Sequence, residues 1–168
     1  MKLNLGSGGR PLKGYCNVDI SDTIPDVDLV HNLDNMPWPF ENDSIDEVVM
    51  AHCLEHLEDH NAAMGEIHRI LKPGTKAVIS VPHFTWQLAF ADPTHKHFFA
   101  HPTFYYYVNK GNYFHFKFTS CRVRILFGKR LSLWNYLIEP LANLFPTVYE
   151  QSPLRIFPAL GIKAVLTK

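Results

Sequence analysis

The first residues that could do chemistry form a glycine-rich stretch near the start of the chain, Gly6-Ser7-Gly8-Gly9. This stretch follows a short apolar strand predicted over residues 2–5, and a second predicted strand, residues 15–20, carries Asp19 near its end. Glycine has no Cβ atom, so a glycine loop lets the main chain pass close beneath a bound molecule. A carboxylate at the end of the next strand can accept hydrogen bonds from both hydroxyl groups of a ribose. The pattern therefore indicates a nucleotide-type site, with a plain tight turn as the alternative.

Two common nucleotide motifs do not fit this loop. A GxGxxG motif would need glycine at position 11, which is Pro11, so a nicotinamide-dependent oxidoreductase is disfavoured. No Gly-Lys-Ser/Thr triplet follows the glycines, so the loop is not a phosphate-binding P-loop. These two mismatches exclude the common motifs but do not name the ligand of the loop.

Histidines form the second group of candidates, because an unperturbed imidazole titrates near neutral pH and can act as a general base. The chain has ten of them, many after residue 83. We predict catalytic roles for His52, which ends a predicted strand, and for His95 and His97, which lie in the segment "DPTHKHFFAHPTFYYY". His56 and His68 are expected to be ordinary residues at a helix surface or core edge.

The same segment offers metal-type ligands at short spacing, namely Asp92, His95, His97 and His101. Their spacing is not the His-x3-His of a zincin or a zinc finger, and no cysteine pair accompanies them. We therefore assign no residue to a metal. A metal-binding protein that uses this histidine-rich insertion is kept as an alternative function, beside an acceptor-binding loop and simple aromatic packing.

Five apolar strands are predicted in the first half, and they would position these groups. Besides the first two they cover residues 27–33, 44–52 and 76–82, and a helical pattern before the last of them stops at "KPG". Strands that alternate with crossovers form parallel sheets, and ligands bind beyond the carboxyl ends of such strands. The glycine loop, Asp19, Asn32 and His52 should therefore converge on one crevice.

The second half is predicted to contain a strand at 115–128, a helix at 133–145 interrupted by Pro140, and a closing strand at 159–168. The expected fold class is α/β: a doubly wound, Rossmann-like, mostly parallel sheet with an antiparallel final strand. We also expect a shortened first crossover and an insertion rich in histidine and aromatic residues after the fifth strand. We predict one domain over residues 1–168, with a cofactor-binding core at 1–84 and an acceptor cover with closing strands at 85–160.

The composition limits the partners of the protein. Its formal net charge is zero, so a general electrostatic grip on nucleic acid is not expected. No apolar run is long enough to span a membrane, and three cysteines without metal spacing suggest reduced thiols in a cytoplasmic protein. The many aromatic residues make a homodimer a further expectation.

Several motifs in a fixed order strengthen the interpretation of the glycine loop and Asp19 as a nucleotide-type site. After the glycine loop and the acidic strand end come Pro39-Phe40 with Ser44 and Asp46, then "H-x-LEHL" at 52–57 and "R-x-LKPG" at 69–74. Over roughly residues 3–84 the chain resembles the class I S-adenosylmethionine-dependent methyltransferases, in particular small methyltransferase-11-like members. One departure is Arg10-Pro11, which stands where the family has a third glycine.

This resemblance implies S-adenosyl-L-methionine as the cofactor. It further implies methyl transfer to an oxygen or nitrogen atom of a small-molecule or sugar acceptor; the alternative from another class is a non-catalytic cofactor-binding subunit of a complex. Asp19 would hold the ribose, Asn32 would accept from the adenine amino group, and His52 would lie near the transferred methyl group. The cofactor-binding residues expected by resemblance are Gly6, Ser7, Gly8, Asp19, Ile20, Asn32, Leu33, Asp34 and His52, with the backbone N–H of Leu33 or Asp34 donating to the adenine ring.

Overall fold

In a computed structural model, which describes residues 1–109, 113–128 and 133–168, seven strands form one sheet in the order β3-β2-β1-β4-β5-β7-β6. The strands from β1 to β5 pair in parallel, whereas β7 is antiparallel to both of its neighbours. The predicted fold class is therefore confirmed, including the antiparallel final strand. The strand bounds are β1 Lys2–Leu5, β2 Cys16–Asp19, β3 Leu29–Val30, β4 Ile45–Ala51, β5 Leu71–Pro82, β6 Ser120–Leu126 and β7 Gly161–Thr167.

The centre of the sheet is apolar, as the sequence pattern predicts. Leu5 of β1 lies opposite Val18 of β2 on one side and opposite Met50 of β4 on the other. All three side chains are fully buried. A strand covered on both faces must be apolar at nearly every position, and this requirement explains the short continuous runs of Leu, Val and Ile.

Helices cover this sheet, and their bounds are α1 His60–Ile70, α2 Gln87–Ala91, α3 Tyr106–Asn109, α4 Asn135–Leu144 and α5 Pro146–Gln151. The Asp59 carboxylate caps α1 by accepting from the backbone N–H groups of Asn61 and Ala62. Short 3-10 helices span Leu54–His56, Thr103–Tyr105 and Pro153–Ile156. The first of these directly follows β4 and carries part of the site.

The first crossover is short, as predicted, and residues 6–15 contain no helix. A buried amide of β2 organises it: Asn17 Oδ1 accepts from the Leu12 backbone N–H at 2.8 Å and from Asn4 Nδ2 at 2.9 Å. Polar contacts thus replace the helix that usually fills this connection.

Several predicted boundaries were wrong. β5 begins at Leu71 rather than near 76, because Leu71 already pairs with Ile45 of β4. β3 has two residues instead of seven and lies at the sheet edge, where Val30 is exposed. The predicted interruption at Pro140 is absent, since α4 continues through this residue.

The predicted strand over 115–128 was also too long, because β6 begins only at Ser120. The residues before it pack their rings on α1: Phe116 lies beside Gly65, and Phe118 lies edge-on to His68, 5.1 Å between ring centroids. Within the described ranges, no helix is both long and apolar enough to cross a bilayer. The predicted cover at 85–160 includes residues 110–112 and 129–132, which lie outside the described residues.

Candidate active site

A cavity of about 350 Å³ opens beyond the carboxyl ends of the first four strands. A volume of this size is typical of small-molecule sites. It brings together the predicted residues Gly6, Gly8, Asp19, Ile20, Asn32, Leu33, Asp34 and His52, and adds His31, Cys53, His56 and Leu57. Ser7 is not part of this lining; its side chain is buried and its hydroxyl has no hydrogen-bond partner among the described residues.

Gly6 and Gly8 both line this cavity, but glycine is needed at each position for a different reason. Both adopt positive φ angles, +64° at Gly6 and +49° at Gly8. A Cβ on Gly6 would lie 2.3 Å from Cys53 Sγ, so this glycine permits close packing of the loop against the end of β4. A Cβ on Gly8 would meet no described atom within 4 Å, so this glycine leaves open space at the cavity. Gly8 is thus suited to close approach by a ligand.

The Asp19 carboxylate is held in place by the backbone on either side of it. Its Oδ2 accepts from the Gly8 N–H at 2.8 Å, and its Oδ1 accepts from the Ser21 N–H at 3.2 Å. Each carboxylate oxygen can accept more than one hydrogen bond, so both can still receive a hydroxyl donor. The carboxylate is therefore oriented and able to bind a diol.

The loop after β3 forms another wall, and its polar groups are partly engaged. Asn32 Oδ1 accepts from the Asp34 backbone N–H at 3.0 Å. This contact engages the Asp34 N–H and so favours the Leu33 N–H among the two predicted donors to an adenine ring, and the donation itself stays a prediction. Ile20 and Leu33 add apolar surface suited to a flat ring. Asn32 Oδ1 keeps a second lone pair for an amino group.

His52 ends β4 in an unusual backbone conformation. Its φ is +53°, which is rare for a residue with a side chain, and its N–H donates to Ser80 O of β5 at 2.8 Å. Such conformations cluster at functional sites, where the surroundings impose them. Its Nδ1 lies 3.3 Å from Glu55 Oε1.

Cys53, next in the chain, is not an activated thiol. Burial, with smaller contributions from the carboxylates of Glu55, Asp19 and Asp34, raises its pKa to about 12. The thiol therefore stays protonated at neutral pH and acts as a packing group against Gly6.

A second cavity, of about 520 Å³, adjoins the first one. His52 and His56 line both cavities and form a shared wall. The rest of its lining is Glu55, Pro82, Trp86, Leu88, Ala91, Asp92, Pro93 and His95. His95 therefore lines this cavity together with His52.

His97 does not line either cavity. Its Nε2 lies 2.9 Å from Leu57 O and 3.2 Å from Glu58 O, and its ring packs on His60 at 4.3 Å between centroids. These contacts support a structural role for His97, because they link the insertion to the loop that follows the 3-10 helix Leu54–His56.

His56 ends the 3-10 helix Leu54–His56 and is partly buried, as expected for a residue at a helix surface or core edge. It also lies in the wall between the two cavities. The short 3-10 helix after β4 turns it back toward the strand ends. The available signal was its position four residues after His52, immediately beyond a strand end.

The comparisons with known proteins agree with this geometry. A family profile described as a methyltransferase domain matches residues 9–115, which is more than half of the chain. Demethylmenaquinone methyltransferase from Staphylococcus epidermidis is 38% identical over 56 residues, which cover 33% of this chain and 23% of that enzyme. The chain thus matches only about a quarter of that relative's length.

Solved structures share the fold over almost the whole chain. An S-adenosylmethionine-dependent methyltransferase from Archaeoglobus fulgidus superposes with a TM-score of 0.70 at 17% identity, covering 99% of this chain and 85% of that one. Phosphoethanolamine N-methyltransferase 2 from Haemonchus contortus, in complex with S-adenosyl-L-methionine, gives a TM-score of 0.60 at 15% identity, covering 99% and 48%. These likenesses establish the architecture.

The sheet order and the strand-end cavity define a class I methyltransferase fold. The chain belongs to the methyltransferase domain family, as a class I S-adenosylmethionine-dependent member. The first cavity fits the cofactor of that family, since it offers open space at Gly8, an oriented carboxylate at Asp19 and apolar surface at Ile20. The cofactor supplies the methyl group on a positively charged sulfur.

Proposed function

We propose that the protein transfers a methyl group from S-adenosylmethionine, bound in the first cavity, to an oxygen or nitrogen atom of a small molecule or sugar bound in the second. The observation that carries this proposal is the wall shared by the two cavities. A displacement at the sulfonium methyl needs the acceptor atom in line behind that methyl, and adjoining cavities allow such an arrangement.

The residues divide into two sets under this proposal. Asp19 binds the ribose diol, while Ile20, Asn32 and Leu33 hold the adenine. His52 lies where donor and acceptor meet, and it receives the acceptor proton. In this step the acceptor O–H or N–H proton passes to imidazole, the carbon–sulfur bond breaks with its electrons on sulfur, and the new bond to the acceptor forms.

Calorimetric titration with S-adenosylmethionine and with S-adenosylhomocysteine tests the cofactor assignment. We expect saturable binding of both by the wild type, and roughly 100-fold weaker binding by Asp19→Ala, because two hydrogen bonds to a charged group are lost. Asp22→Ala is the matched control, since Asp22 is a nearby acid that does not line the cavity. Unchanged binding by Asp19→Ala would contradict the site assignment.

Turnover is tested separately by following S-adenosylhomocysteine release over a panel of phenols, amines and sugars. If the wild type releases S-adenosylhomocysteine with one of these acceptors and His52→Ala does not, the result supports methyl transfer at the shared wall. Tight cofactor binding without turnover, together with a stable hetero-complex, would instead support the non-catalytic subunit.

The homodimer stays a prediction. It is supported by α4, which exposes the apolar side chains of Leu137, Leu141 and Leu144 in the described structure. Sedimentation analysis that gives a concentration-independent monomer would contradict it.

A further inference from the structure

A cluster of three metal-type ligands lies in the wall of the second cavity. Donor atoms of Glu55, His56 and His95 all lie within 4.8 Å of one another. Ligand atoms roughly 2.1 Å from a tetrahedral metal ion lie about 3.4 Å apart, so the three donor atoms would have to close by at most about 1.4 Å. We propose that these residues bind a divalent first-row transition metal ion of the zinc type.

The carboxylate of Glu55 is the first reason for this inference. Glu55 is fully buried, and neither of its carboxylate oxygens has a hydrogen-bond partner among the described residues. Its contact with His52 at 3.3 Å lacks hydrogen-bond geometry and involves only Oε1. A buried carboxylate without partners is costly, and a bound cation removes that cost.

The second reason is the hydrogen bonding at His95. Its Nδ1 lies 3.0 Å from the backbone carbonyl of Ala89. A carbonyl oxygen only accepts, so Nδ1 carries the proton of the neutral ring. Nε2, which lies 3.7 Å from Asp92 Oδ2, then keeps its lone pair. Metal-binding histidines commonly donate their other N–H to such a carbonyl.

His56 has the same arrangement through a different partner. The Thr94 hydroxyl donates to Asp92 Oδ1 at 2.6 Å, and Thr94 Oγ1 lies 2.9 Å from His56 Nδ1. Because the hydroxyl proton is already directed to Asp92, the oxygen accepts from His56 Nδ1–H. In the neutral ring, the Nε2 atom of His56 then keeps its lone pair and can serve as a ligand.

Two backbone contacts hold the insertion so that these ligands meet. The Lys96 and His97 N–H groups donate to Glu55 O at 2.8 Å and 3.3 Å. The His56 and His95 rings then lie 4.7 Å apart. The histidine that follows β4 and the histidine of the insertion are therefore brought together by structure rather than by sequence spacing.

The donor set also indicates which cations fit. Two imidazole nitrogens with one carboxylate suit Zn²⁺, Fe²⁺ or Co²⁺, whereas Mg²⁺ and Ca²⁺ prefer oxygen ligands. Three protein ligands leave a coordination position open toward the second cavity. A hydroxyl oxygen of the acceptor would occupy it and become more acidic. This last step rests on the proposed methyl transfer, whereas metal binding itself does not.

Titration of chelator-treated, tag-free full chain with Zn²⁺, followed by calorimetry and by metal analysis after dialysis, tests the site. We expect one ion per chain, with affinity weakened roughly tenfold or more in Glu55→Gln and in His95→Ala. His115→Ala is the matched control, because His115 is exposed and lines neither described cavity, and it should bind like the wild type.

Lack of saturable Zn²⁺ binding by the wild type would overturn the proposal, as would equal binding by His95→Ala. Co²⁺ is a second probe, since visible absorption of the bound ion should appear in the wild type and be lost in His56→Ala. Circular dichroism of each variant reports folding, and the wild type is also titrated with S-adenosylhomocysteine. Cofactor binding without metal binding would refute the metal site alone, and metal binding without cofactor binding would refute the proposed function alone.

Discussion

The two adjoining cavities at the strand ends are built by different means. The first cavity depends on main-chain geometry, where Gly6, Gly8 and the N–H groups around Asp19 define its shape. The second cavity depends on side chains, chiefly histidines, carried by a short 3-10 helix and an irregular insertion. Substitutions that add or remove single atoms should therefore affect the two cavities differently.

The largest effect is expected from Gly6→Ala. Its new Cβ would lie 2.3 Å from Cys53 Sγ and 2.6 Å from Cys53 Cβ, at a φ of +64°. We expect the free energy of unfolding to fall by roughly 3 kcal/mol or more, since both a steric clash and backbone strain contribute. Urea denaturation followed by circular dichroism measures it.

Gly8→Ala separates the two roles of the loop. Its positive φ costs about 1 kcal/mol, yet no described atom lies within 4 Å of the new Cβ. We expect a mild loss of stability and a clear loss of affinity for S-adenosylmethionine, measured by calorimetry. Equal destabilisation by the two glycine variants would show that both glycines serve packing only.

His95→Ala tests the second cavity. We expect turnover to fall roughly 100-fold while the affinity for S-adenosylmethionine changes less than about twofold, because His95 lines only the second cavity. His97→Ala is the comparison, since its ring nitrogen contacts backbone carbonyls instead. If both variants lost turnover and cofactor affinity in parallel, the division between the cavities would be refuted.

Thr94→Val is a finer test of the same cavity. It removes the acceptor of the His56 Nδ1 proton while keeping the shape of the side chain. We expect Zn²⁺ affinity to fall roughly tenfold, with cofactor affinity unchanged. Thr94→Ser should bind Zn²⁺ like the wild type, because serine keeps the hydroxyl group.

The smallest effect concerns pH. Burial, assisted by the charge of His97, lowers the pKa of His60 below 6.5, although Asp59 acts in the opposite direction. His60 therefore binds a proton more readily in the unfolded chain than in the folded one. Its contribution to the free energy of unfolding is fully present above about pH 6.5 and is lost as the pH falls below that value. Thermal denaturation at pH 7.5 and 5.5 should show a smaller decline in His60→Gln than in the wild type.

The sequence allowed the grouping of residues around the first cavity to be predicted, but not the second cavity. Asp19, Asn32 and His52 follow strands whose parallel pairing brings their ends to one edge, so strand prediction was sufficient to group them. Glu55 and His56 meet His95 only through tertiary contacts made by the insertion. No local periodicity encodes such contacts, and the strand boundaries around β5 and β6 were mispredicted for the same reason.

The wall of His52 and His56 has a thermodynamic consequence. A molecule that shifts these two rings from one cavity changes the free energy of occupying the other, and linkage makes the effect reciprocal. If Zn²⁺ raises the affinity for the cofactor by some factor, the cofactor must raise the affinity for Zn²⁺ by that same factor. Binding in the two cavities would then be coupled, so that filling one cavity changes the affinity of the other.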